Sequence, residues 1–372
     1  MANTYEIYSE LLFAKAGSKG IPLSGTFELT SRCNLDCRMC YIHKRANDAS
    51  ARRKEKTADQ WLSLARECRD AGMLLLLLTG GEPFLRPDFR EIYAGCRKLG
   101  LLVSINTNGT LITPEMMDFL EKDPPARMNI TLYGASPETY GALCGNPSAF
   151  EKAKNTILEL KKRGIFVKLN FSMTQYNCGD LEAVFEFAKE NLLPIQVATY
   201  MFPPSRACEQ GNCQAERMTP LQSAEGQMRY DCLRYTKEEL KEKLTAALNG
   251  ASYGKPTQEC QELPSEHMNC RAGVSTFWVT WDGQLRICGM MDGPGVRLLP
   301  GKFPDAWKEV QKYRKEILVP AKCTACSMRE FCDPCAAVCR GETGSFTGTP
   351  EYMCQRTQEY LKMAEKVLEE LE

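Results

Sequence analysis

The sequence contains no long apolar segment, no excess of one charge and only two histidines. Its longest apolar run, residues 73–78, is far shorter than the roughly 20 residues that a membrane-spanning helix needs. Lys and Arg total 47, and Asp and Glu also total 47, so the chain lacks the basic excess that attracts nucleic acid or anionic lipid. The N-terminal residues do not read as an export signal. We therefore expect a cytoplasmic protein with neither nucleic-acid nor membrane partners.

Cysteine, by contrast, is unusually frequent, with 19 copies in 372 residues. Cytosolic thiols are kept reduced, so a disulfide framework is not expected. Metal binding, catalysis or ordinary core packing remain. Metal binding is favoured by two dense groups, which are Cys33, Cys37 and Cys40 near the start, and Cys323, Cys326, Cys332, Cys335, Cys339 and Cys354 near the end.

Between about residues 24 and 200, short β-rich runs alternate with amphipathic helical patterns, which predicts βα units and a parallel sheet. A closed barrel of this kind needs eight such units. We therefore expect an α/β fold with a partial (β/α)6 TIM-like barrel, whose ligand site lies at the carboxyl ends of the strands. Six strands are predicted, at residues 25–30, 73–79, 101–107, 128–133, 165–171 and 195–200.

The helical patterns between these strands carry start signals. Thr57 with Gln60 and Ser148 with Glu151 are spaced as capping boxes. Thr113 and Ser136 each precede a proline, as expected for a cap followed by the first helical residue. Each of these positions is therefore expected to begin a helix.

Changes of pattern divide the chain into five predicted parts. Residues 1–23 form an N-terminal segment, 24–205 the partial barrel, and 206–259 a bridging region with helices near 221–235 and 237–248. Residues 260–356 form a small cysteine-rich domain with helices and a β-hairpin that turns at Asp282-Gly283. Residues 357–372 are predicted to form a closing amphipathic helix.

The first cysteine group has three members in the spacing Cys33-x3-Cys37-x2-Cys40, directly after the first predicted strand. A structural zinc site usually has four ligands in two separated pairs. A four-iron cluster held by three cysteines instead keeps one iron open for a ligand. Zinc and scattered core cysteines are the alternatives to the cluster.

Cys33-x3-Cys37-x2-Cys40 followed by Tyr41 resembles the signature of the radical S-adenosylmethionine (radical SAM) superfamily. The residues after the second strand, Thr79-Gly80-Gly81-Glu82-Pro83, are similar to the GGE element of that family. Paired glycines allow a close approach of backbone to a ligand, and Glu82 would offer a free carboxylate to an ammonium group. Gly80-Gly81-Glu82-Pro83 is also a suitable sequence for an ordinary strand-to-helix turn.

The resemblance implies that the open iron chelates the amino and carboxylate groups of SAM and that the Gly80-Gly81-Glu82 element holds its amino group. It further implies adenine contact by Tyr41, and ribose contact by Asn106 or Thr131 at the ends of the third and fourth strands. Asn170 in the fifth strand is a weaker candidate. A cap or turn role is the alternative for each of these polar residues.

The second cysteine group resembles the SPASM extension of radical SAM enzymes. Cys270-x12-Gly283-x4-Cys288 is followed by Cys323-x2-Cys326-x5-Cys332 and by Cys354. The family pattern places its next cysteine at position 336, where this chain has alanine. Cys335 lies one residue before that position and Cys339 three residues after it, and we favour Cys335.

In relatives, the extension binds two auxiliary four-iron clusters. By resemblance, one would be held by Cys323, Cys326, Cys332 and Cys354. The other would be held by Cys270, Cys288 and either Cys335 or Cys339, with Cys260 as a possible fourth ligand. Without Cys260, that cluster would have an open iron for a substrate group. A zinc ribbon also uses Cys-x2-Cys pairs, but it needs only four cysteines.

The expected cofactors are therefore a SAM-binding [4Fe–4S] cluster, two auxiliary [4Fe–4S] clusters and SAM. The expected activity is reductive cleavage of SAM to a 5′-deoxyadenosyl radical, followed by oxidation of a substrate with the auxiliary clusters as electron acceptors. An electron donor such as flavodoxin or ferredoxin is implied. No catalytic acid or base is identifiable from the sequence.

The expected substrate is a ribosomally synthesised peptide that is crosslinked or otherwise matured. Only about 24 residues precede the first predicted strand, so a peptide substrate is expected to be recognised by a separate leader-binding protein or by the barrel and bridging region themselves. The alternative substrate is a small molecule of the aminocyclitol or tetrapyrrole type, which the enzyme would dehydrogenate or decarboxylate. A multi-cluster electron carrier or a zinc scaffold is the non-enzymatic alternative, but neither needs the Gly80-Gly81-Glu82 element.

Overall fold

The computed structural model describes residues 4–42, 44–203, 217–253, 266–333 and 335–371. None of the helices in these ranges is long and apolar enough to cross a membrane. The strands are β1 (Ser24–Glu28), β2 (Arg32–Cys33), β3 (Lys44–Arg45), β4 (Leu75–Thr79), β5 (Leu102–Thr107), β6 (Arg127–Thr131), β7 (Val167–Ser172), β8 (Ile195–Ala198), β9 (Thr276–Val279), β10 (Gln284–Arg286) and β11 (Gly295–Arg297).

Fifteen α-helices accompany the strands within the described residues. Two short 3-10 helices, Pro83–Leu85 and Cys178–Asp180, add to them. The α-helices are α1 (Thr4–Ser18), α2 (Ala49–Lys54), α3 (Ala58–Asp70), α4 (Phe89–Lys98), α5 (Pro114–Lys122), α6 (Pro137–Cys144), α7 (Ala149–Lys162), α8 (Leu181–Glu190), α9 (Pro220–Arg234), α10 (Lys237–Leu248), α11 (Phe303–Glu316), α12 (Ala321–Thr324), α13 (Arg329–Cys332), α14 (Ala336–Thr343) and α15 (Glu351–Leu371).

The main sheet has nine strands in the order β11-β10-β9-β1-β4-β5-β6-β7-β8. The run from β1 to β8 consists of six parallel strands, each beside its successor. These are the six predicted strands, with bounds that shift by at most two residues. The prediction of an α/β fold built on a six-stranded parallel sheet is therefore confirmed.

One face of this sheet packs against the helices. Alternate strand residues such as Leu78, Ile105 and Ile130 are fully buried in one hydrophobic core with Trp61 of α3 and Phe89 of α4. Successive residues of a strand point to opposite faces, so the residues between them lie on the other face. That second face is called the inner face below, and its members on β5 to β7 include Asn106, Asn129, Thr131, Lys168 and Asn170.

The helix starts follow the sequence signals except at one position. Thr57 forms the expected capping box with Gln60, and Thr113 and Ser136 accept hydrogen bonds as caps before a proline. The capping box expected at Ser148 is wrong. Ser148 has helical backbone angles and its hydroxyl donates to Asn146 instead. A capping side chain needs an extended backbone at its own position, which Ser148 does not adopt.

The predicted hairpin is present, and it joins the sheet of the barrel. β9 and β10 pair antiparallel, and Gly283 supplies the left-handed backbone of the turn at φ +86°. β9 also pairs parallel with β1, where Trp278 lies opposite Thr26. The sequence did not predict this second pairing, because it joins segments that are far apart along the chain.

Three helices of the second half form a separate hydrophobic cluster. α9 and α10 match the two helices predicted in the bridging region, and both pack against α15. α15 begins at Glu351, before the predicted start at Thr357, so it includes Cys354. Asp231 fixes the three helices together, because it pairs with Lys243 at 2.7 Å and accepts from the Tyr360 hydroxyl at 2.8 Å.

Candidate cofactor and metal centre

The loop with the first three cysteines follows β1 at the carboxyl edge of the sheet. Cys37 is buried, and Cys33 and Cys40 are half-buried. Burial raises the pKa of the Cys33 thiol, and negative charge on Glu82, Cys37 and Cys40 raises it further. The three thiols therefore lie close enough to influence one another. The structure brings the predicted triplet together.

Several groups of the surrounding protein contact the triplet. The backbone N–H of Leu35 and the Asn108 side-chain amide approach the Cys33 sulfur at 3.5 and 3.6 Å. A hydrogen bond with the Cys144 thiol, followed by burial, raises the pKa of Cys37. Cys144 is buried at the end of α6, where it supports the loop. Asn108 was missed because it follows the predicted ribose contact Asn106 in an ordinary Asn-Gly turn.

The two glycines of the Gly80-Gly81-Glu82 element are needed for a different reason from the one expected. A Cβ atom on Gly80 would lie 2.2 Å from the Thr30 carbonyl oxygen, and one on Gly81 would lie 2.2 Å from that of Arg32. The N–H groups of Gly81 and Glu82 donate to these same carbonyls at 2.8 and 2.9 Å. The glycines thus admit the backbone of the cysteine loop and fix it to the end of β4.

Glu82 is not the free carboxylate that the sequence indicated, since its side chain is fully buried. Its Oε1 accepts hydrogen bonds from the Thr107 hydroxyl at 2.8 Å and the Phe84 N–H at 3.1 Å, and its Oε2 accepts from the Asn108 N–H at 2.8 Å. Burial raises the pKa of Glu82 to about 7. The carboxylate is held next to Cys33, with one acceptor position of Oε2 still available.

The predicted ribose residues lie on the inner face. Asn106 accepts a hydrogen bond at 2.8 Å from Asn129, its register partner on β6. Thr131 and Asn170 are register partners on β6 and β7. The Oδ1 atom of Asn129 is buried without a hydrogen-bond partner, which makes this residue a further candidate ligand. Tyr41 is half-buried directly after Cys40.

A buried ion-pair network anchors the cysteine loop, and the sequence analysis missed it. Arg32, the residue before Cys33, pairs with both carboxylate oxygens of Glu55 at 2.7 and 3.1 Å. Arg86 approaches the same carboxylate at 3.6 Å and donates to the Leu29 carbonyl at 2.8 Å. All three side chains are less than one-tenth exposed. Glu55 lies in a run of charged residues, which gives no local sign that its side chain is buried.

Glu28 is a second missed residue. It is fully buried at the end of β1, and its carboxylate accepts from the Trp278 indole at 2.6 Å. Ser24, Thr26 and Glu28 alternate with apolar residues, so Glu28 shares the inner face. The signal in the sequence was an acidic residue inside an otherwise buried strand. Glu28 joins the first strand of the barrel to the hairpin of the second half.

Four of the C-terminal cysteines lie near one another. Burial raises the pKa of Cys323, and charge on Cys354, Cys332 and Cys326 raises it further. Cys326 and Cys332 likewise raise the pKa of Cys354, after burial. The ends of α12, α13 and α15 therefore place these thiols in one region.

The structure brings only some of the other C-terminal cysteines near one another. Cys270 lies near Cys335, as their electrostatic interaction indicates. Cys339 is buried in α14 and interacts with both Cys323 and Cys335, so it lies between the two groups. Cys288 is half-buried after β10 and accepts from the Met290 N–H at 3.4 Å. Cys260 lies outside the described residues.

Within the ranges that the structure describes, no group of three or more His, Cys, Asp or Glu side chains is arranged to hold a metal ion. The ligands of a zinc ion converge on one point, whereas the cysteines of a four-iron cluster bind different iron atoms. Thiols that are near one another without converging on one point are compatible with the second arrangement.

Comparison with known proteins places this arrangement in context. Residues 27–188 match the profile of the Radical SAM superfamily. The chain is 26% identical over 341 residues to the AdoMet-dependent heme synthase of Methanosarcina barkeri, covering 89% of this chain and 95% of that protein. It is 32% identical over 173 residues to the PqqA peptide cyclase of Ruegeria pomeroyi, covering 45% of this chain and 44% of that protein.

Among solved structures, SuiB from Streptococcus suis bound to S-adenosylmethionine matches with a TM-score of 0.67 at 20% identity, covering 95% of this chain and 83% of SuiB. SuiB bound to its precursor peptide SuiA matches with a TM-score of 0.67 at 18% identity, covering 95% of this chain and 82% of SuiB. At these identities the likeness concerns the fold. Residues 27–188 thus resemble a radical SAM domain. The predicted α/β fold with a parallel sheet is confirmed.

Proposed function

We propose that this chain, whose residues 27–188 match the Radical SAM superfamily, oxidises a peptide substrate with a radical generated from SAM. The observation that carries the proposal is the loop of three adjacent thiols, docked through Gly80 and Gly81 beside the buried Glu82 carboxylate. When bound, a reduced [4Fe–4S] cluster and SAM supply the 5′-deoxyadenosyl radical that abstracts a substrate hydrogen.

Cys33, Cys37 and Cys40 would hold the SAM-binding cluster. Negative charge on one of these sulfur atoms disfavours negative charge on the others, and burial disfavours it on all of them. A bound metal cluster would stabilise all three as thiolates. The Leu35 N–H and the Asn108 amide near the Cys33 sulfur would donate to it in that state. The buried loop and its donors therefore fit a bound cluster.

Glu82 and the inner face would orient SAM. The available position on Glu82 Oε2 suits an ammonium donor, and the buried, unpartnered Oδ1 of Asn129 suits a hydroxyl donor such as the ribose. Asn106, Thr131 and Asn170 offer further polar groups on the same face, and Tyr41 extends the site beyond Cys40. The residues present thus match the polar groups of SAM.

We further propose a SPASM-type extension with two auxiliary [4Fe–4S] clusters. Cys323, Cys326, Cys332 and Cys354 would hold one of them. Cys270, Cys288 and Cys335 would contribute to the other, with Cys260 as a candidate fourth ligand. The proximity of Cys335 to Cys270 supports Cys335 over Cys339 in this role. These clusters would accept the electron that the oxidised substrate releases.

The substrate proposal rests on two relatives that act on peptides. The PqqA peptide cyclase and the SuiB complex with its precursor peptide support a peptide as the substrate. A tetrapyrrole is the second candidate, because the heme synthase of M. barkeri aligns over 89% of this chain. Flavodoxin or ferredoxin would reduce the SAM-binding cluster in either case.

The test compares the anaerobically reconstituted wild type with a Cys33→Ala/Cys37→Ala/Cys40→Ala variant. We expect about three four-iron clusters per wild-type chain and about two in the variant, by iron and sulfide analysis and EPR. With dithionite and SAM, only the wild type should form 5′-deoxyadenosine. Cys232→Ala, a change at an exposed helical cysteine, is the matched control and should behave as the wild type. Zinc without sulfide, or clusters that never cleave SAM, would overturn the proposal.

The substrate is then identified by isotope transfer. Deuterated peptide and deuterated tetrapyrrole candidates are each supplied with SAM, and 5′-deoxyadenosine is examined for deuterium by mass spectrometry. Deuterium from the peptide supports peptide maturation, whereas deuterium from the tetrapyrrole alone replaces it with the second candidate.

A further inference from the structure

Two cations lie side by side on the inner face, away from the cysteine loop. Arg127 begins β6 and shares its face with Asn129, two residues later. Lys168 on β7 is the register partner of Asn129. Arg127 and Lys168 are therefore diagonal neighbours on adjacent strands, a spacing that long side chains bridge easily.

Neither cation has a carboxylate partner within the described ranges. The only side-chain contact that the structure gives Lys168 is a hydrogen bond that its ammonium donates to Gln196 on β8. Arg127 makes no ion pair with the described residues. Burial and then the charge of Arg127 lower the pKa of Lys168. Two neighbouring positive charges repel each other, and half-burial of one of them disfavours its charged form further. An anion bound between them would offset both effects.

Their position relates them to the proposed SAM site. Asn129, whose unpartnered oxygen was assigned to SAM, is directly beside Lys168 in the sheet. A substrate that presents a C–H bond to SAM would extend along the inner face towards these cations. An anionic group of that substrate would therefore reach them.

We propose that Lys168 and Arg127 bind a carboxylate of the substrate, an inference that rests on the proposed function. Lys168 offers ammonium donors at a partly desolvated position, where an ion pair is stronger than at the surface. Arg127 offers a planar fork that matches a carboxylate. The carboxylate belongs either to an acidic residue of a peptide or to the side chain of a tetrapyrrole.

The test measures how fast an acylating reagent modifies Lys168 in the SAM-supplied holoenzyme, by mass spectrometry of digested protein. The peptide probe is acetyl-Ala-Glu-Ala-amide, and acetyl-Ala-Gln-Ala-amide is its uncharged counterpart. The tetrapyrrole probe is coproporphyrin III, compared with its tetramethyl ester. A probe with a dissociation constant of about 10 mM would occupy most sites at about 50 mM, so a slowing of about threefold or more is expected from a bound carboxylate.

The uncharged counterparts should not protect Lys168, and acylation of Lys161, an exposed lysine on α7, should not respond to any probe. Arg127→Ala should reduce the protection, whereas Arg52→Ala, at an exposed arginine on α2, should retain it. Protection by one carboxylate probe identifies the source of the carboxylate. Equal protection by charged and uncharged probes, or none, overturns the proposal.

The outcome is separable from that of the proposed function. Formation of 5′-deoxyadenosine is measured in the same wild-type preparation. Selective protection without 5′-deoxyadenosine would retain the carboxylate site and reject the radical chemistry. Formation of 5′-deoxyadenosine without selective protection would reject the carboxylate site alone.

Discussion

The two cysteine groups are carried by very different kinds of backbone. The first loop is bonded on several sides, because Thr30 and Arg32 accept from the end of β4 and the Asp36 N–H donates to the Cys144 carbonyl at 3.1 Å. In the second group, Cys323 and Cys332 lie on α12 and α13, which have four residues each. Cys270 and Cys326 are exposed.

This difference separates two ways of building a metal centre. The first loop is positioned by hydrogen bonds, buried ion pairs and glycine contacts that the protein itself supplies. Helices of four residues are far below the length at which a helix is stable by itself. The auxiliary clusters proposed for the second group would therefore supply much of its rigidity, since metal binding contributes directly to folding in such regions.

Removal of iron should produce the largest difference between the two regions. After anaerobic chelation, we expect amide hydrogen exchange across residues 321–333 to accelerate by at least about tenfold, because bound clusters there contribute to folding free energy. Strands β4 to β7 should keep their protection. Equal acceleration in both regions would show that the barrel depends on its cofactor as much as the second half does.

Replacement of Glu55 tests the anchoring of the first loop. Glu55→Ala would leave the buried Arg32 guanidinium without its carboxylate, which should lower the free energy of unfolding by about 3 kcal/mol. Urea unfolding of the chelated protein measures the change. The control is Glu186→Ala, which breaks an exposed pair with Lys189 and should cost less than about 1 kcal/mol. Equal costs would contradict an anchoring role.

The pH dependence of the free energy of unfolding tests the burial of Glu82 beside the first loop. Burial raises its pKa from the ordinary 4.5 to about 7, so the folded chain keeps a proton that the unfolded chain loses in this range. The contribution of Glu82 to the stability of the folded chain is complete below pH 4.5 and is lost as the pH rises through about 7. Between about pH 5 and pH 8, this should remove about 3 kcal/mol of stability from the wild type.

Glu82→Gln supplies the reference for that measurement, because glutamine does not titrate. The free energy of unfolding of the wild type minus that of the variant should fall with rising pH in the chelated protein. If the difference rises instead, the hydrogen bonds from Thr107, Phe84 and Asn108 outweigh burial.

The smallest expected effect distinguishes two similar sequence signals in the barrel. Thr57→Ala removes the hydroxyl that accepts from the Gln60 N–H and should cost about 1 kcal/mol. Ser148→Ala should cost at most a few tenths, because Ser148 makes no cap hydrogen bond. Thermal or urea unfolding of the two variants would decide this, and similar losses would show that Ser148 stabilises its helix in another way.

The sequence was most informative where a local pattern determines the structure. Alternating apolar runs located all six parallel strands, and the turn at Gly283 located the hairpin, since both depend on neighbouring residues. It was least informative about contacts between distant segments. The pairing of β9 with β1, the bond from Trp278 to Glu28 and the pairing of Arg32 with Glu55 have no local signature.

The Gly80-Gly81-Glu82 element shows a third situation. Its position at the end of the second barrel strand was predicted correctly. The roles predicted for its carboxylate and its glycines were wrong. The free carboxylate expected at Glu82 is buried, and the space that the glycines provide is filled by the backbone of residues 30–32. A motif identifies which residues meet, whereas the structure shows which of them faces a ligand.

The pairing of β9 with β1 also has a consequence for how the protein is made. During synthesis, β1 emerges early, but its neighbour on one side begins only at Thr276. Until then β1 is the open edge of the sheet, and open edges pair readily with other strands. The cysteine loop that follows β1 would thus be attached to an unfinished sheet for most of translation. Loading of the proposed cluster before the second half is complete would occur beside an exposed edge, so we expect the cluster to be assembled after chain release.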